Sequence, residues 1–356
     1  MNHYSSLEDL KNYRDSPAVS QSLLKAVLNN TPYKFKPSVQ MVLGSCLDCF
    51  LTSPQLEQDL FCVGLENRPS EAISNFIDVL WKKVSNNGVA LEFVGSLEDY
   101  KDELILIARE ANYQANWKDE ALWKALEKDG ARYWEELIKC EGKTIVSAQE
   151  WNTSKTLAEL CKDSHITGKY FIEQENVDKY YQYPLFWFME DIECKGLSDV
   201  IIVEHETKTI YLVDVKGTDT SGLKGFMYVA KSKNYPFQLS WYKEGILRDP
   251  LFKKYLEGGY TLEFRWLVIP FNTERFRPWK IPVSDKLLEI GKTGFSVGNL
   301  VRTEISTVYF KQREGWKQAL AKYKASLNLN GGTDFDEWLI TEGNPSVKVV
   351  EQIFFG

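Results

Sequence analysis

The chain has 356 residues, of which 44% are hydrophobic and 26% charged. This composition is typical of one large or two ordinary globular domains and excludes an intrinsically disordered chain. The net charge of −7 argues against a uniformly basic surface, although a local basic groove beside an acidic site stays compatible with it. No apolar run approaches the roughly 20 residues that cross a bilayer, and the N-terminus lacks the pattern of a signal peptide. We therefore expect a cytoplasmic protein without a membrane partner.

Six cysteines are scattered through the first 194 residues. In a chain of this length they predict reduced, buried thiols. Cys46 and Cys49 form a CxxC motif, but the chain lacks a second one, so a zinc site is not expected.

The first 140 residues predict a helical N-terminal region. Ser20 can cap a helix that runs to Leu28, and a second helix is expected from Val39 to Leu51. Residues 70–140 show helical spacing of aromatic residues, which indicates core packing. The spacing predicts an interruption of the helix near Asp129-Gly130.

A capping box, in which Ser147 precedes Glu150 by three positions, predicts a helix that reaches Cys161. Strand-like runs follow at 181–189, 200–203, 210–213 and 264–269. The order predicts an α/β (α+β) fold in which a mixed central sheet is flanked by helices. The predicted division is a helical region over 1–140, a core over 141–329 and a C-terminal tail over 330–356.

The stretch from Lys195 to Gly222, KGLSDVIIVEHETKTIYLVDVKGTDTSG, contains a predicted hairpin with residues 205–208 as its loop. In that register Asp199 lies opposite Asp214, and facing Cβ atoms on antiparallel strands are only about 5 Å apart. Lys216 lies two residues beyond Asp214 and therefore points to the same side.

Two facing carboxylates repel each other unless a cation lies between them. Mg²⁺ suits such a pair, because it prefers oxygen ligands and keeps several waters. With Lys216 to orient water or to stabilise charge on a phosphate, the pattern predicts metal-assisted phosphodiester hydrolysis. The alternative interpretation is an exposed hairpin with ordinary surface charges. The position of each Asp directly beside an apolar strand run favours the metal site.

Downstream, Asn234-Tyr235-Pro236 predicts a helix start, and Gln238 and Tyr242 then share one helical face.

At these residues the chain resembles the PD-(D/E)XK nuclease superfamily, specifically its RecB/RecE-like exonuclease branch. The matching residues are Asp199, Asp214-Val215-Lys216 and the Gln238…Tyr242 pair. Segments 19–23, 44–48 and 147–151 are similar to upstream motifs of the same branch, so the resemblance spans about residues 16–327.

The chain departs from the family pattern at three places. Asp48 occupies the position of a metal-binding His, and an aspartate oxygen suits Mg²⁺ better than imidazole does. Leu197-Ser198 replace an Arg before the first Asp. A family Glu on the preceding strand has Gln182 as its nearest counterpart, with Glu190 and Glu193 as alternatives.

The resemblance implies a restriction-endonuclease-like core and a Mg²⁺-dependent DNA exonuclease, with Mn²⁺ as a possible substitute. The predicted metal ligands are Asp48, Asp199, Asp214 and the Val215 carbonyl. Lys216 would assist the attacking water, and Gln238 and Tyr242 would position the DNA strand. Thr218, Thr220 and Ser221 could donate hydrogen bonds to phosphate oxygens, although plain loop roles are the alternative for these three.

The expected substrate is linear duplex DNA with free ends, in recombination or replication of a phage or mobile element in a bacterial host. A recombination or single-strand-annealing protein is a possible partner, and the oligomeric state stays open. A second hypothesis is a weak or inactive nuclease fold that serves DNA binding or assembly. The histidines carry little weight: His165 and His205 are interpreted as surface residues, and His3 lies in a terminus that we expect to be disordered. A late basic run of Lys311, Arg313, Lys317, Lys322 and Lys324 is interpreted as a solvated face, with a surface that follows the DNA backbone as the alternative.

Overall fold

A computed structural model describes residues 7–29, 39–64, 69–86, 93–141, 143–220, 222–294, 300–302, 307–309 and 314–329. It divides the chain into two compact units, one formed by residues 1–35 and 159–356 and the other by residues 36–158. These units do not coincide with the predicted division at residue 140. The α/β fold, with a helical N-terminal region and a mixed sheet flanked by helices, is confirmed.

The helices of the described ranges are α1 (Leu7–Asp15), α2 (Gln21–Asn29), α3 (Val39–Thr52), α4 (Glu57–Leu60), α5 (Glu71–Asn86), α6 (Lys101–Glu110), α7 (Asp119–Lys139), α8 (Ala148–Asp163), α9 (Leu223–Ser232), α10 (Tyr235–Ile246), α11 (Pro250–Glu257), α12 (Asp285–Thr293) and α13 (Trp316–Leu329). The strands are β1 (Val19–Ser20), β2 (Phe61–Val63), β3 (Thr144–Val146), β4 (Val177–Met189), β5 (Ile192–Glu204), β6 (Thr209–Thr218), β7 (Thr261–Pro270), β8 (Trp279–Pro282), β9 (Leu300–Arg302) and β10 (Thr307–Tyr309).

The unit of residues 36–158 is mainly helical, with β2 and β3 paired in parallel. The predicted capping box is confirmed: the Ser147 N–H donates to Glu150 Oε2 at 2.8 Å, and the Glu150 N–H donates to Ser147 Oγ at 3.1 Å. These two bonds satisfy N–H groups that the first turn of α8 leaves without helical partners.

Helix α7 runs without a break through Gly130, so the predicted interruption near Asp129-Gly130 is wrong. Gly130 is a contact point between helices, because a Cβ there would lie only 2.6 Å from Ile77 Cδ1 of α5. The missing side chain lets α5 and α7 approach closely and does not mark the end of a helix.

Cys62 and Cys140 form a disulfide. The prediction that all six cysteines are reduced is therefore wrong for this pair. The two residues lie far apart in the sequence, and β2 and the C-terminal end of α7 bring them together. The remaining four cysteines are free and buried.

The unit that contains residues 159–356 is built on a sheet in the order β1-β5-β6-β7-β8, with β4 also paired to β5. The β4–β5, β5–β6 and β7–β8 pairs are antiparallel, whereas the β1–β5 and β6–β7 pairs are parallel. Helices α9, α10 and α11 form the connection between the parallel pair, as such a pair requires.

One face of this sheet is covered by helices that bury large aromatic side chains, among them Phe226, Trp241 and Trp266. Trp241 Nε1 donates to the Lys195 carbonyl at 3.0 Å, which fixes α10 against β5. Burial of aromatic area of this size is a main source of core stability.

The N-terminal residues belong to the same unit. Ser20 caps α2 as predicted, with Oγ accepting the Leu23 N–H at 3.2 Å. Lys195 is buried and its Nζ donates to three carbonyls near the end of α1, those of Tyr13, Arg14 and Ser16. The ammonium therefore satisfies carbonyl groups that the C-terminal turn of a helix leaves without partners.

His205 is not the plain surface residue that we predicted. Its ring lies 2.8 Å from Tyr260 Oη through Nδ1 and 3.0 Å from Asp178 Oδ2 through Nε2. Ser221, His3, Lys311, Arg313 and the tail at 330–356 lie outside the described residues. Within the described ranges no helix combines the length and apolarity that a membrane crossing needs.

Candidate functional site

The candidate site lies where one edge of β5 changes its partner. Strand β4 pairs with the other edge along nearly the whole length of β5. On the site's edge, β6 pairs with residues 200–204 and β1 with Cys194 and Lys195. Among the described strands, none pairs with residues 196–199 on that edge, so backbone and side chains there are open to other contacts.

Asp199 lies in this gap, one position beyond the last ladder pair between Val200 and Val213. The register is the predicted one, since Glu204 pairs with Thr209. The Val215 N–H donates to Asp199 Oδ2 at 2.7 Å. The carboxylate thus takes a main-chain donor of β6 where the β5–β6 ladder has ended.

Asp214 lies on β6 next to Asp199 in register, and its side chain is only 1% exposed. Its Oδ1 lies 2.6 Å from Lys216 Nζ. Its Oδ2 is buried and accepts no hydrogen bond within the described part of the chain. An ionised carboxylate with one such oxygen is costly unless a further cation or donor reaches it.

Lys216 lies between acidic and aromatic groups. Burial acts to lower its pKa, but the carboxylates of Asp214 and Asp199 outweigh burial, so the pKa of Lys216 is raised. Its Nζ also lies 5.1 Å from the centre of the Tyr235 ring, a cation–π contact. The ammonium is therefore held charged and in place.

Tyr235 was not predicted as a site residue, although a signal for it exists in the sequence. Tyr235, Gln238 and Tyr242 follow one another at i, i+3 and i+7, so they lie along one stripe of α10. The prediction started the stripe at Gln238.

Gln238 and Tyr242 interact as their spacing predicts: Gln238 Nε2 donates to Tyr242 Oη at 3.0 Å. The Tyr242 ring packs on Gly196, where an added Cβ would lie 2.9 Å from Tyr242 Cδ1. Gly196 is in the open segment of β5, so the missing side chain gives the tyrosine its place beside the carboxylates.

Tyr242 is buried, and burial raises the pKa of its phenol well above the usual value, with smaller contributions from Tyr13, Asp199 and Asp214. The side chain therefore stays protonated at neutral pH. A protonated phenol can donate a hydrogen bond to an anionic group at the site.

Of the predicted phosphate-binding hydroxyls, Thr218 is buried and its Oγ1 lies 2.9 Å from Thr220 Oγ1. Oγ1 of Thr218 also accepts the Thr220 N–H at 3.2 Å. Thr218 thus shapes the turn after β6, whereas Thr220 is partly exposed.

Gln182 is the best placed of the three candidates for the family's Glu. It lies between the pairs Tyr181–Val200 and Tyr183–Ser198, hence opposite Asp199, with a positive φ of 45°. Glu193 pairs with Phe188 at the far end of the β4–β5 hairpin, and Glu190 lies in its turn. A left-handed non-glycine residue within a strand is uncommon and marks this position as unusual.

The residues fit a small hard cation. The carboxylates of Asp199 and Asp214, among them the unsatisfied Oδ2 of Asp214, supply only oxygen atoms, as Mg²⁺ prefers. No group of three or more His, Cys, Asp or Glu side chains that could hold a metal ion occurs in the described part of the chain. Asp48 lies on α3 in the unit of residues 36–158, and its role as a ligand stays a prediction.

Comparisons with known proteins give no family. No protein-family model matches the chain, and no curated protein matches it either. Among solved structures, a candidate exonuclease from Eubacterium rectale is similar with a TM-score of 0.39 and 12% identity, covering 80% of this chain and 79% of that one. Likeness at this level adds nothing to the case for function, which lies in the site itself.

Proposed function

We propose that the chain is a Mg²⁺-dependent deoxyribonuclease that hydrolyses phosphodiester bonds. The observation that carries this proposal is the buried Asp214 carboxylate. One oxygen faces Lys216 and the other has no hydrogen-bond partner among the described residues.

Asp199 and Asp214 would hold the ion, with the Val215 carbonyl as a further ligand. When bound, Mg²⁺ supplies Lewis-acid chemistry: it polarises a phosphoryl oxygen and lowers the pKa of a coordinated water. Mn²⁺ is a possible substitute because it accepts the same oxygen ligands.

Lys216 would act on the attacking water and on the phosphate. Its raised pKa keeps the ammonium protonated, so it can donate hydrogen bonds and offset negative charge that develops on the phosphoryl oxygens. Asp214 holds Nζ at 2.6 Å and Tyr235 lies over it, so little reorganisation is needed when DNA binds.

Tyr242 and Gln238 would position the strand. The Tyr242 phenol stays protonated and can donate to a phosphate oxygen, while Gln238 orients that phenol from one helical turn earlier. Thr220 is partly exposed and can add a phosphate contact.

The finer proposal is an exonuclease that acts on DNA ends, in recombination or replication of a phage or mobile element. It rests on the sequence resemblance to RecE-type nucleases. The same resemblance suggests a recombination or single-strand-annealing protein as a partner.

The test is digestion of linear duplex, linear single-stranded and closed circular DNA in the presence of Mg²⁺, with EDTA as the control. We expect linear DNA to be shortened from its ends and closed circular DNA to be spared. Cleavage that proceeds equally in EDTA would refute the metal dependence. Cleavage of closed circles would replace the exonuclease with an endonuclease.

A DNA-binding or assembly module with weak catalysis is the second candidate. The observation in its favour is that no third acidic side chain joins Asp199 and Asp214 in the described ranges. Binding of DNA without any metal-dependent cleavage would support this candidate.

A further inference from the structure

Helix α9 carries a stripe of two lysines and a tyrosine, of which Lys224 and Tyr228 are exposed and Lys231 is half-buried. Lys224, Tyr228 and Lys231 follow one another at i, i+4 and i+7, which places them on one side of the helix. The opposite side, with Phe226 and Met227, is buried in the core. Tyr228 is 61% exposed, so a large aromatic ring lies in solvent between two lysines.

The chain segment that contains this stripe carries charge of one sign. From Thr220 to Lys243 the chain contains no acidic residue, although its net charge is −7. The same stretch contains the lysines 224, 231, 233 and 243. A local positive surface on an acidic protein attracts a polyanion to one place and leaves the rest of the surface repulsive.

The stripe is connected to the site through aromatic contacts. The Phe226 ring centre lies 6.0 Å from that of Tyr235, and the Tyr235 ring lies 5.1 Å from Lys216 Nζ. Phe226 lies on the opposite side of α9 from Tyr228, so the path from Tyr228 to Lys216 crosses one helix width and then these two ring contacts. Its total length is about 20 Å, a span of a few nucleotides of DNA strand.

We propose, on the basis of the nuclease function above, that the α9 stripe binds the unpaired DNA strand beside the site. Lys224 and Lys231 would contact phosphates, and Tyr228 would stack on a base. Exposed aromatic side chains between cations are how proteins bind single strands without reading sequence. A base inside a duplex is covered on both faces by its stacked neighbours, so the aromatic contribution favours unpaired DNA.

The test measures binding in EDTA, without cleavage, to a fluorescein-labelled single strand and to its blunt duplex. Tyr228→Ala should weaken single-strand binding by about 5-fold or more and change duplex binding less. Tyr228→Trp should restore it. The matched control is Phe188→Ala, because Phe188 is 65% exposed and faces Glu193 in the neighbouring strand; it should change binding less than about 2-fold.

The lysines are tested by the salt dependence of the same binding. Lys224→Gln with Lys231→Gln should reduce the slope of log K against log salt by about 1.4 on single-stranded DNA, because each phosphate that a lysine neutralises accounts for about 0.7 of that slope. Lys253→Gln with Lys254→Gln removes the same charge from α11 and should leave the slope unchanged. Thermal melts establish that every variant is folded.

The results separate this inference from the proposed function. In one outcome, the parent digests linear DNA while the Tyr228 and lysine variants bind single strands as the parent does. That result refutes single-strand binding by the α9 stripe and leaves the proposed nuclease activity supported. Equal weakening on single strands and duplex from Tyr228→Ala also refutes base stacking. If the parent neither digests nor binds DNA, both proposals fail.

Discussion

Lys216 Nζ lies 2.6 Å from Asp214 Oδ1, while Oδ2 of the same carboxylate accepts no hydrogen bond from the described residues. The ion pair thus neutralises one side of a buried acid and leaves the other side open. Breaking such a pair by removal of one partner costs more than the pair contributes, because a buried charge is left alone. Asp214 therefore matters for stability, and under the proposed function it would also bind the metal ion and take part in catalysis.

Lys216→Ala should abolish cleavage, with a loss of at least about 100-fold in rate, because the donor beside the scissile phosphate is removed. The rate of shortening of linear duplex DNA in Mg²⁺ measures this loss. Lys253→Ala is the control, since its partner Glu257 lies on exposed α11. Parent-like cleavage by a folded Lys216→Ala variant would show that the role assigned to this lysine is wrong.

Mg²⁺ should stabilise the parent and not the Asp214→Asn or Asp199→Asn variants. A ligand at 100 times its dissociation constant contributes about 2.7 kcal/mol to the folded state. This stabilisation raises the melting temperature by about 4 °C in a chain of this size.

Differential scanning fluorimetry with and without Mg²⁺ gives the comparison. Asp285→Asn, at an exposed acid paired with Lys243, should keep the full shift. An Asp214→Asn variant that melts later in Mg²⁺, as the parent does, would place the ion elsewhere.

Gly196→Ala should reduce both stability and activity, because the new Cβ would lie 2.9 Å from Tyr242 Cδ1. Overpacking of this kind costs about 1–3 kcal/mol and moves the ring away from the carboxylates. Urea unfolding and the cleavage rate measure the two effects. Gly222→Ala is the matched control, since nothing lies within 4 Å of its added Cβ.

Glu244→Gln should destabilise the protein at neutral pH by about 2 kcal/mol. Its carboxylate lies 2.8 Å from Lys292 Nζ and 2.7 Å from Arg248 Nη1. Burial opposes ionisation, but these two cations outweigh burial and lower the pKa of Glu244. The stabilisation is present above the ordinary glutamate pKa of about 4.3 and is lost as the pH falls through the lower folded-state pKa.

Urea denaturation of parent and Glu244→Gln across acidic pH measures this linkage. The difference in unfolding free energy should shrink below about pH 4.3. A difference that stays constant down to acid pH would mean that packing, and not the charge of Glu244, accounts for the destabilisation.

Local patterns in the sequence were enough for the hairpin and the helix caps. Two apolar runs of equal length around a polar turn define one register, and the structure has Glu204 opposite Thr209 as that register requires. Capping by Ser20 and Ser147 likewise depends on residues only three positions away.

The errors arose where distant segments meet. A glycine in a helical pattern suggests a helix break, and the sequence therefore predicts one at Gly130. In the structure Gly130 instead lies against Ile77 of another helix, a contact that no local pattern reveals. The Cys62–Cys140 bond and the His205 contacts with Asp178 and Tyr260 join segments that no local pattern relates. Tyr235 could have been predicted from the sequence, because the helical stripe of Gln238 and Tyr242 extends back to it.

The parallel pairing of Val19 with Cys194 has a consequence for how the molecule folds. The β4–β5–β6 hairpins are local and can form early, whereas β1 must wait for the start of the chain to meet its middle. Pairings with such large sequence separation form slowly, because the chain must give up loop-closure entropy before the pairing stabilises it. The edge of β5 beside Asp199 should therefore be among the last parts of the sheet to order, and the folding chain would form the β4–β5–β6 scaffold before the candidate site.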